Sequence, residues 1–332
     1  MHRSIFLLLV ATSLLLKSCL PSCDEYIEGS LPLTAVNLEN FNTEYDDYNA
    51  TAPDLGVFIP FCFSSNRDSE GENFDIVYKP MTTDWDENTG TMSVLNDYGT
   101  WLGYQEQFKV IQYALDVINS DSNELGPYFM MNTALFYNDY DFLFMYASDI
   151  EGDFDIGFTY SYDTPDFKET RAIKFLNSPY DDLYPAFNMY YTRIYFCSDR
   201  DNDVFNIYWT SVQRGVEELV AEFSDSTRRE ITLEPTLSSN YNDKCPFIYG
   251  KLMVFASDRP GGEGGFDLYY SIYSNDQWSE PVNFGPNVNS PYDEYRPIVV
   301  NESIDYYKDM LIFSSDRPGG KGGFDLYYAG IY

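Results

Sequence analysis

The sequence predicts an all-β fold, a five-bladed β-propeller in which an N-terminal strand completes the last blade. The first observation is an internal repeat: residues 254–270 return as residues 312–328 with only three differences in seventeen positions. A repeat of this kind indicates stacked copies of one supersecondary unit. The second observation is strands that are apolar on both faces. The third is a separate motif that occurs the same number of times.

Each copy of the repeat is predicted to be a β-hairpin. An apolar run at residues 252–257 is followed by a glycine-rich stretch at 260–265 and an aromatic run at 266–273. Glycine permits the positive φ angles of a wide turn. Strands that are apolar on both faces must be covered on both faces, as in stacked propeller blades. The aromatic content of 18% fits this packing.

Weaker copies of the hairpin occur at residues 61–78, 144–158 and 195–209. A motif of the form Asn-Ser-Pro-Tyr-Asp precedes the hairpins, most clearly at 177–185 and 289–297. Both motifs occur five times, which predicts one domain over residues 30–332. The expected blades are residues 42–118, 119–176, 177–237, 238–288, and 289–332 together with 30–41.

The N-terminal segment is expected to close the ring. Residues 31–38 resemble residues 280–284, the last strand of the fourth repeat, and the fifth repeat stops after its third strand. Pairing these two ends would remove two exposed sheet edges. Extra residues in blade 1, around 81–103, predict an inserted loop whose tryptophans, Trp85 and Trp101, are candidate contacts for a ligand or partner.

The signature Ser-Asp-Arg…Phe-Asp-Leu-Tyr, carried by residues 257–269 and 315–327, resembles the WD40-like PD40 repeats of TolB-type propellers. The resemblance covers nearly all of residues 30–332. It implies a propeller and an envelope location, and it does not imply one activity.

The N-terminus is typical of a secretory leader. A short apolar run within residues 1–18 precedes a cysteine in a lipobox-like context, and it is too short to span a bilayer. We expect lipidation at Cys19, with Cys23 as the alternative, followed by a tether over residues 19–29. The expected location is the outer membrane of a Gram-negative bacterium, on the cell surface or the periplasmic face. Plain secretion with both cysteines free is the alternative.

Charge and composition exclude several functions. The net charge of −33 disfavours nucleic acid and acidic lipid as partners, so membrane attachment would depend on the lipid anchor. The single histidine, His2, would leave with the leader. Without histidine the mature chain cannot carry a Ser-His-Asp or Cys-His mechanism, or the usual histidine-containing zinc sites. No cofactor is expected, and no disulfide among the three remaining cysteines.

Recurring arginines and aspartates are interpreted as pairs that lock each hairpin, because a catalytic residue is needed only once. The pairs are Arg67 with Asp75, Arg259 with Asp267, and Arg317 with Asp325. The alternating acids Asp199, Asp201 and Asp203 are weak candidates for calcium, since they lack the remaining positions of an EF-hand loop.

These observations favour a non-catalytic protein-interaction or assembly module, not an enzyme, with an outer-membrane or envelope protein as partner. The alternative is a carbohydrate-binding or glycoside-hydrolase-like propeller that uses only carboxylates and takes a glycan as ligand. A surface protein with no specific ligand is a third hypothesis. Unique acids and aromatic residues lining a site would favour the alternative.

Overall fold

The computed structural model describes residues 29–52, 58–86, 88–131, 142–162, 166–300 and 308–331. In these ranges the chain forms five antiparallel sheets, the blades of a β-propeller, which confirms the predicted fold. The predicted leader, Cys19 and Cys23 lie outside the described residues, so the lipid anchor and the envelope location stay predictions.

The first strand is β1 (Val36–Asn37), and the blades then follow in chain order. Blade 1 contains β2 (Asp47–Thr51), β3 (Phe58–Ser65), β4 (Asp75–Asp86) and β5 (Thr91–Leu95). Blade 2 contains β6 (Glu124–Met131), β7 (Phe142–Ser148), β8 (Asp155–Ser161) and β9 (Arg171–Ala172). Blade 3 contains β10 (Asp182–Phe187), β11 (Arg193–Ser198), β12 (Asn206–Ser211) and β13 (Thr232–Leu233).

Blade 4 contains β14 (Asp243–Tyr249), β15 (Leu252–Ser257), β16 (Asp267–Ser274), β17 (Gln277–Trp278) and β18 (Val282–Asn283). Blade 5 contains β19 (Glu294–Val300), β20 (Asp309–Ser315) and β21 (Asp325–Ile331). Strand β1 pairs antiparallel with β21, with Val36 opposite Tyr328, and so completes blade 5. The predicted closure by the N-terminal strand is therefore confirmed.

The first strand of every blade carries one register shift, and a residue with positive φ lies at it. These residues are Asn49, Gly126, Tyr184, Cys245 and Arg296. Arg296 is fully buried, and its guanidinium donates to the carbonyl oxygens of Pro127 at 3.2 Å and Pro246 at 3.3 Å. Because these carbonyls belong to blades 2 and 4, the side chain crosses the centre, and the propeller axis is filled here.

Two helices decorate the blades. Helix α2 (Val216–Phe223) lies where the apolar spacing of residues 213–223 predicts a helix, and it buries Leu219, Val220 and Phe223. Helix α1 (Gln105–Ile118) follows the extra residues of blade 1, which form a long β4–β5 hairpin instead of the expected loop. Within the described ranges neither helix combines the length and apolarity needed to cross a membrane.

Candidate functional site

The two repeated motifs meet as buried ion pairs between the first strand of a blade and its hairpin. The pairs are Asp47–Arg67, Asp182–Arg200, Asp243–Arg259 and Glu294–Arg317. In blade 4, Nη2 of Arg259 lies 2.6 Å from Asp243, and Nε donates to Ser257 Oγ at 3.0 Å. The acids are completely buried, and the same contacts recur in four blades. We therefore assign these pairs a structural role.

This pairing corrects the sequence interpretation. Arg67, Arg259 and Arg317 do not pair with Asp75, Asp267 and Asp325, because each arginine turns back to the first strand of its blade. Asp267 instead accepts hydrogen bonds from the backbone N–H groups of Glu263 at 2.6 Å and Gly264 at 3.2 Å. Asp325 accepts from Lys321 N–H at 2.5 Å in the same way. These aspartates hold the hairpin loop without an arginine.

Blade 2 departs from the pattern at its first-strand acid. Ile150 occupies the arginine position, so Glu124 has no arginine partner; it accepts hydrogen bonds from Ser120 Oγ at 2.6 Å, from Ser120 N–H at 3.2 Å and from Ser148 Oγ at 3.2 Å. Burial raises the pKa of Glu124 to about 7. Glu124 is only 1% exposed, so a substrate cannot reach its carboxyl group.

Blades 2 and 3 also have short hairpin loops. Six residues separate the arginine from the following phenylalanine in blades 1, 4 and 5, whereas blade 2 has three at this place and blade 3 has four. Asp155, the blade-2 equivalent of Asp267, therefore lacks the loop N–H groups. Its Oδ1 is buried with no hydrogen-bond partner among the described residues. Burial, together with the charges of Asp153 and Asp182, raises the pKa of Asp155 to about 6.

We name the partly exposed acids between blades 2 and 3 the carboxylate seam; its members are Asp153, Asp155, Asp181 and Asp199. Loop contacts hold two of them: Phe154 N–H donates to Asp181 at 2.9 Å, and Asp181 N–H donates to Asp199 at 3.0 Å. Burial and the charge of Asp181 raise the pKa of Asp199. The charge of buried Asp182 also raises the pKa of both Asp155 and Asp199.

A depression of about 700 Å³ lies beside the seam, between blades 3 and 4. Its lining combines amide and hydroxyl side chains with charged and apolar ones; the first group includes Asn202, Asn206, Asn240 and Tyr241, and the second includes Asp201, Arg259 and Leu233. Asn206 stands where blade 4 has Asp267, and its Oδ1 is buried with no hydrogen-bond partner in the described part of the chain. Amide and hydroxyl groups beside an exposed aromatic ring are groups that can hydrogen-bond and stack on a sugar.

The acids considered for calcium lie on the loop between the seam and the depression. The carboxylate of Asp199 accepts from Asp181 N–H, and that of Asp201 accepts from the Tyr208 hydroxyl at 2.9 Å. Asp203 is exposed on the same loop. Over the ranges that the structure describes, no cluster of three or more histidine, cysteine, aspartate or glutamate residues is placed to hold a metal ion.

The remaining predicted residues lie away from this site. Trp85 is in β4, partly buried against the largest apolar cluster. Trp101 lies in the 3₁₀ turn Gly99–Tyr104, and its side chain is outside the described part. Cys62, Cys197 and Cys245 are buried free thiols. Sequence reasoning missed Asp155 and the depression, although the unequal loop lengths were a readable signal.

No known protein-family model matches the chain, and no curated protein matches its sequence. Solved structures do share its fold. One is an α-L-arabinofuranosidase from Podospora anserina in complex with cellotriose, with a TM-score of 0.51, 10% identity, and coverage of 91% of this chain and 96% of that one. Another is an endo-arabinase from Bacteroides thetaiotaomicron, with a TM-score of 0.52, 10% identity, and coverage of 92% and 98%.

A third is a β-xylosidase/α-arabinofuranosidase of glycoside hydrolase family 43 from a compost metagenome, in complex with xylotriose and in a calcium-free form. Its TM-score is 0.50 at 13% identity, with coverage of 91% of this chain and 95% of that one. At these identities the similarity shows the fold alone.

These comparisons correct three expectations. The propellers that share the fold are glycoside hydrolases, so the assignment to TolB-type PD40 proteins is wrong. The non-catalytic assembly module and the expectation that the chain is not an enzyme rested on the repeated use of the motifs and the absence of histidine; the same glycoside hydrolase neighbours contradict both. The fold of the chain is that of a five-bladed β-propeller similar to those of arabinose- and xylose-cleaving enzymes.

Proposed function

We propose that the chain is a carboxylate-dependent glycoside hydrolase whose reaction takes place at the carboxylate seam. The observation that carries the proposal is Asp155, a partly exposed carboxyl group with an unpartnered buried oxygen and a pKa raised to about 6. Glycoside hydrolysis needs one carboxyl group that is protonated near neutral pH and a second that is ionised. Asp155 suits the first role.

Asp199 is the proposed second carboxylate. It is partly exposed, and the N–H of Asp181 orients it. Asp155 and Asp199 share buried Asp182 as a neighbour, and Arg200 holds Asp182 at 2.5 Å. In this arrangement Asp155 donates a proton to the oxygen of the leaving group. Asp199, ionised, acts on the sugar carbon either directly or by activating a water molecule.

The depression between blades 3 and 4 is the proposed sugar-binding surface. It shares the blade-3 loop with the seam, because Asp201 and Asn202 line it and Asp199 precedes them. Amide groups at Asn202 and Asn240 would accept and donate hydrogen bonds to sugar hydroxyls. The enzymes that share the fold act on arabinose- and xylose-containing substrates, which makes these sugars the first to test.

The test is hydrolysis of 4-nitrophenyl α-L-arabinofuranoside, 4-nitrophenyl β-D-xyloside, arabinan and arabinoxylan. We expect Asp155→Asn to lower kcat by about 10²-fold or more on a cleaved substrate, since general acid catalysis contributes that much. Asp199→Asn should have an effect of similar size. Asp276→Asn, an exposed acid on the blade-4 turn, is the matched control and should leave kcat unchanged.

The pH profile gives an independent readout. Activity of the wild type should fall as pH rises above about 6, because Asp155 then loses the proton that it donates. Wild-type activity in Asp155→Asn would remove this residue from the mechanism. Binding of the polysaccharides without any cleavage would refute hydrolysis and leave carbohydrate binding as the function.

A further inference from the structure

A tyrosine recurs in the loop that precedes the first strand of a blade. It occupies one motif position in blades 1, 3, 4 and 5, as Tyr45, Tyr180, Tyr241 and Tyr292, and blade 2 has Ser122 there. The acid two residues later is buried in every blade, but Tyr180, Tyr241 and Tyr292 are 44%, 46% and 43% exposed. Tyr45 is less exposed, and its ring lies near Gly71.

The loops of blades 4 and 5 present these rings in the same way. Tyr241 N–H donates to Ser239 Oγ at 3.1 Å, and Tyr292 N–H donates to Ser290 Oγ at 3.2 Å. A repeated residue that supports a scaffold is expected to be buried, as the acids and serines of these motifs are. Three large rings held half exposed at one position in consecutive blades instead provide a repeated contact surface.

We propose that Tyr180, Tyr241 and Tyr292 are stacking platforms for successive parts of one neutral polysaccharide chain. This proposal rests on the proposed carbohydrate function and specifies its substrate as a polymer. The row begins at Tyr180, directly before seam residue Asp181, and continues through Tyr241, which lines the depression, to Tyr292 on blade 5. A polymer placed along this row therefore has one part beside Asp155 and Asp199.

The charge of the surface selects among polysaccharides. Asp181 and Asp293 directly follow two of the tyrosines, and the whole chain carries a net charge of −33. An acidic polymer would be repelled at these two platforms and by the net charge of the chain, whereas a neutral one meets aromatic faces and amide groups. The expected ligand class is thus a neutral polysaccharide longer than the oligosaccharides that one blade can hold.

The experiment is affinity electrophoresis of the full chain in gels containing arabinoxylan, linear arabinan or polygalacturonate. We expect retardation by at least one neutral polymer and none by polygalacturonate. Single Tyr180→Ala, Tyr241→Ala and Tyr292→Ala changes should each weaken binding roughly threefold to tenfold, and the triple variant far more, because linked contacts act together. Tyr241→Phe keeps the ring and should bind like the wild type.

The matched control is Tyr190→Ala, since Tyr190 is 54% exposed in the loop at the opposite end of β10. It should not change retardation. Unchanged binding by the triple variant, equal effects of Tyr190→Ala, or binding of polygalacturonate would each overturn the proposal. Hydrolysis of 4-nitrophenyl glycosides separates the two claims. Tyr292→Ala, at a residue outside both the seam and the depression, should keep that activity while it weakens polymer binding, and polymer binding without any hydrolysis would refute the hydrolase alone.

Discussion

Ile150 stands where the other four blades have an arginine that pairs with the acid of the first strand. Glu124, the first-strand acid of blade 2, therefore lacks this partner. The folded chain raises the pKa of Glu124 to about 7 by burial, from the ordinary value of 4.5. Between these values the folded state holds a proton that the unfolded state has released. Stability contributed by this proton is therefore present at low pH and is lost as pH rises towards 7.

Ile150→Arg should supply the missing partner and lower the pKa of Glu124. We expect the variant to be more stable than the wild type at pH 8, with a smaller decrease in stability between pH 5 and pH 8. Melting temperatures at both values test this. Ile150→Gln is the control. Because the side chain of Ile150 is 64% exposed, a neutral replacement should change the melting temperature little at either pH. Equal pH slopes in all three proteins would contradict the prediction.

At the scale of elements, the closing strand depends on contacts on both sides of β1. Gly330 N–H donates to Pro32 O at 2.7 Å, and Leu38 N–H donates to Leu326 O at 2.9 Å. Leu31, Leu38 and Phe41 are at most 2% exposed in the largest apolar cluster. The segment therefore covers the edge of β21 and fills the space beneath it, which closes the ring non-covalently.

Phe41→Ala should lower the free energy of unfolding by about 3–5 kcal/mol, as expected for removing a buried aromatic side chain. Leu33→Ala in the same segment is the control: Leu33 is 49% exposed, so its removal should cost less than about 0.5 kcal/mol. Urea unfolding measures both. If the two variants proved equally stable, the segment would not be part of the cooperative fold.

At the scale of the whole molecule, the axis distinguishes this chain from a propeller with an open central funnel. The five positive-φ positions carry side chains of unequal size, so that Arg296 and Tyr184 fill the space that Gly126 leaves. A Cβ atom added at Gly126 would lie 2.3 Å from the ring of Tyr184. Because the axis is filled at this level, the candidate site lies at the surface between blades 2 and 3, where the hairpin loops are short.

Arg296→Ala should destabilise the chain by about 3–5 kcal/mol, because it opens a cavity and leaves the carbonyl groups of Pro127 and Pro246 without donors. Cys245→Ala, at the equivalent position of the neighbouring blade, removes one atom and should cost about 1 kcal/mol. Urea unfolding of both variants is the measurement. A stable Arg296→Ala protein would show that the arginine does not join the blades.

The number of blades, the closing strand and helix α2 can all be predicted from the sequence, because each depends on a local pattern in consecutive residues. Helix α1 was not predicted, although its apolar spacing at Phe108, Ile111, Leu115 and Ile118 is equally readable in the sequence. The local nature of these patterns also explains why the assignment to TolB-type PD40 proteins was wrong. The Ser-Asp-Arg and Phe-Asp-Leu-Tyr segments specify a hairpin and a blade, and different propeller families can share such a solution.

Which side chains contact each other depends on how the strands pack in three dimensions. Arg259 lies eight residues before Asp267 but pairs with Asp243, because the hairpin brings its side chain back onto the first strand. Three features depend on segments that are distant in sequence and adjacent in space. They are the acid that pairs with each arginine, the side chains that fill the axis, and the unpartnered oxygen of Asp155. The shorter loops of blades 2 and 3 can be read from the sequence, but the unpartnered oxygen of Asp155 became visible only when the five blades were placed side by side.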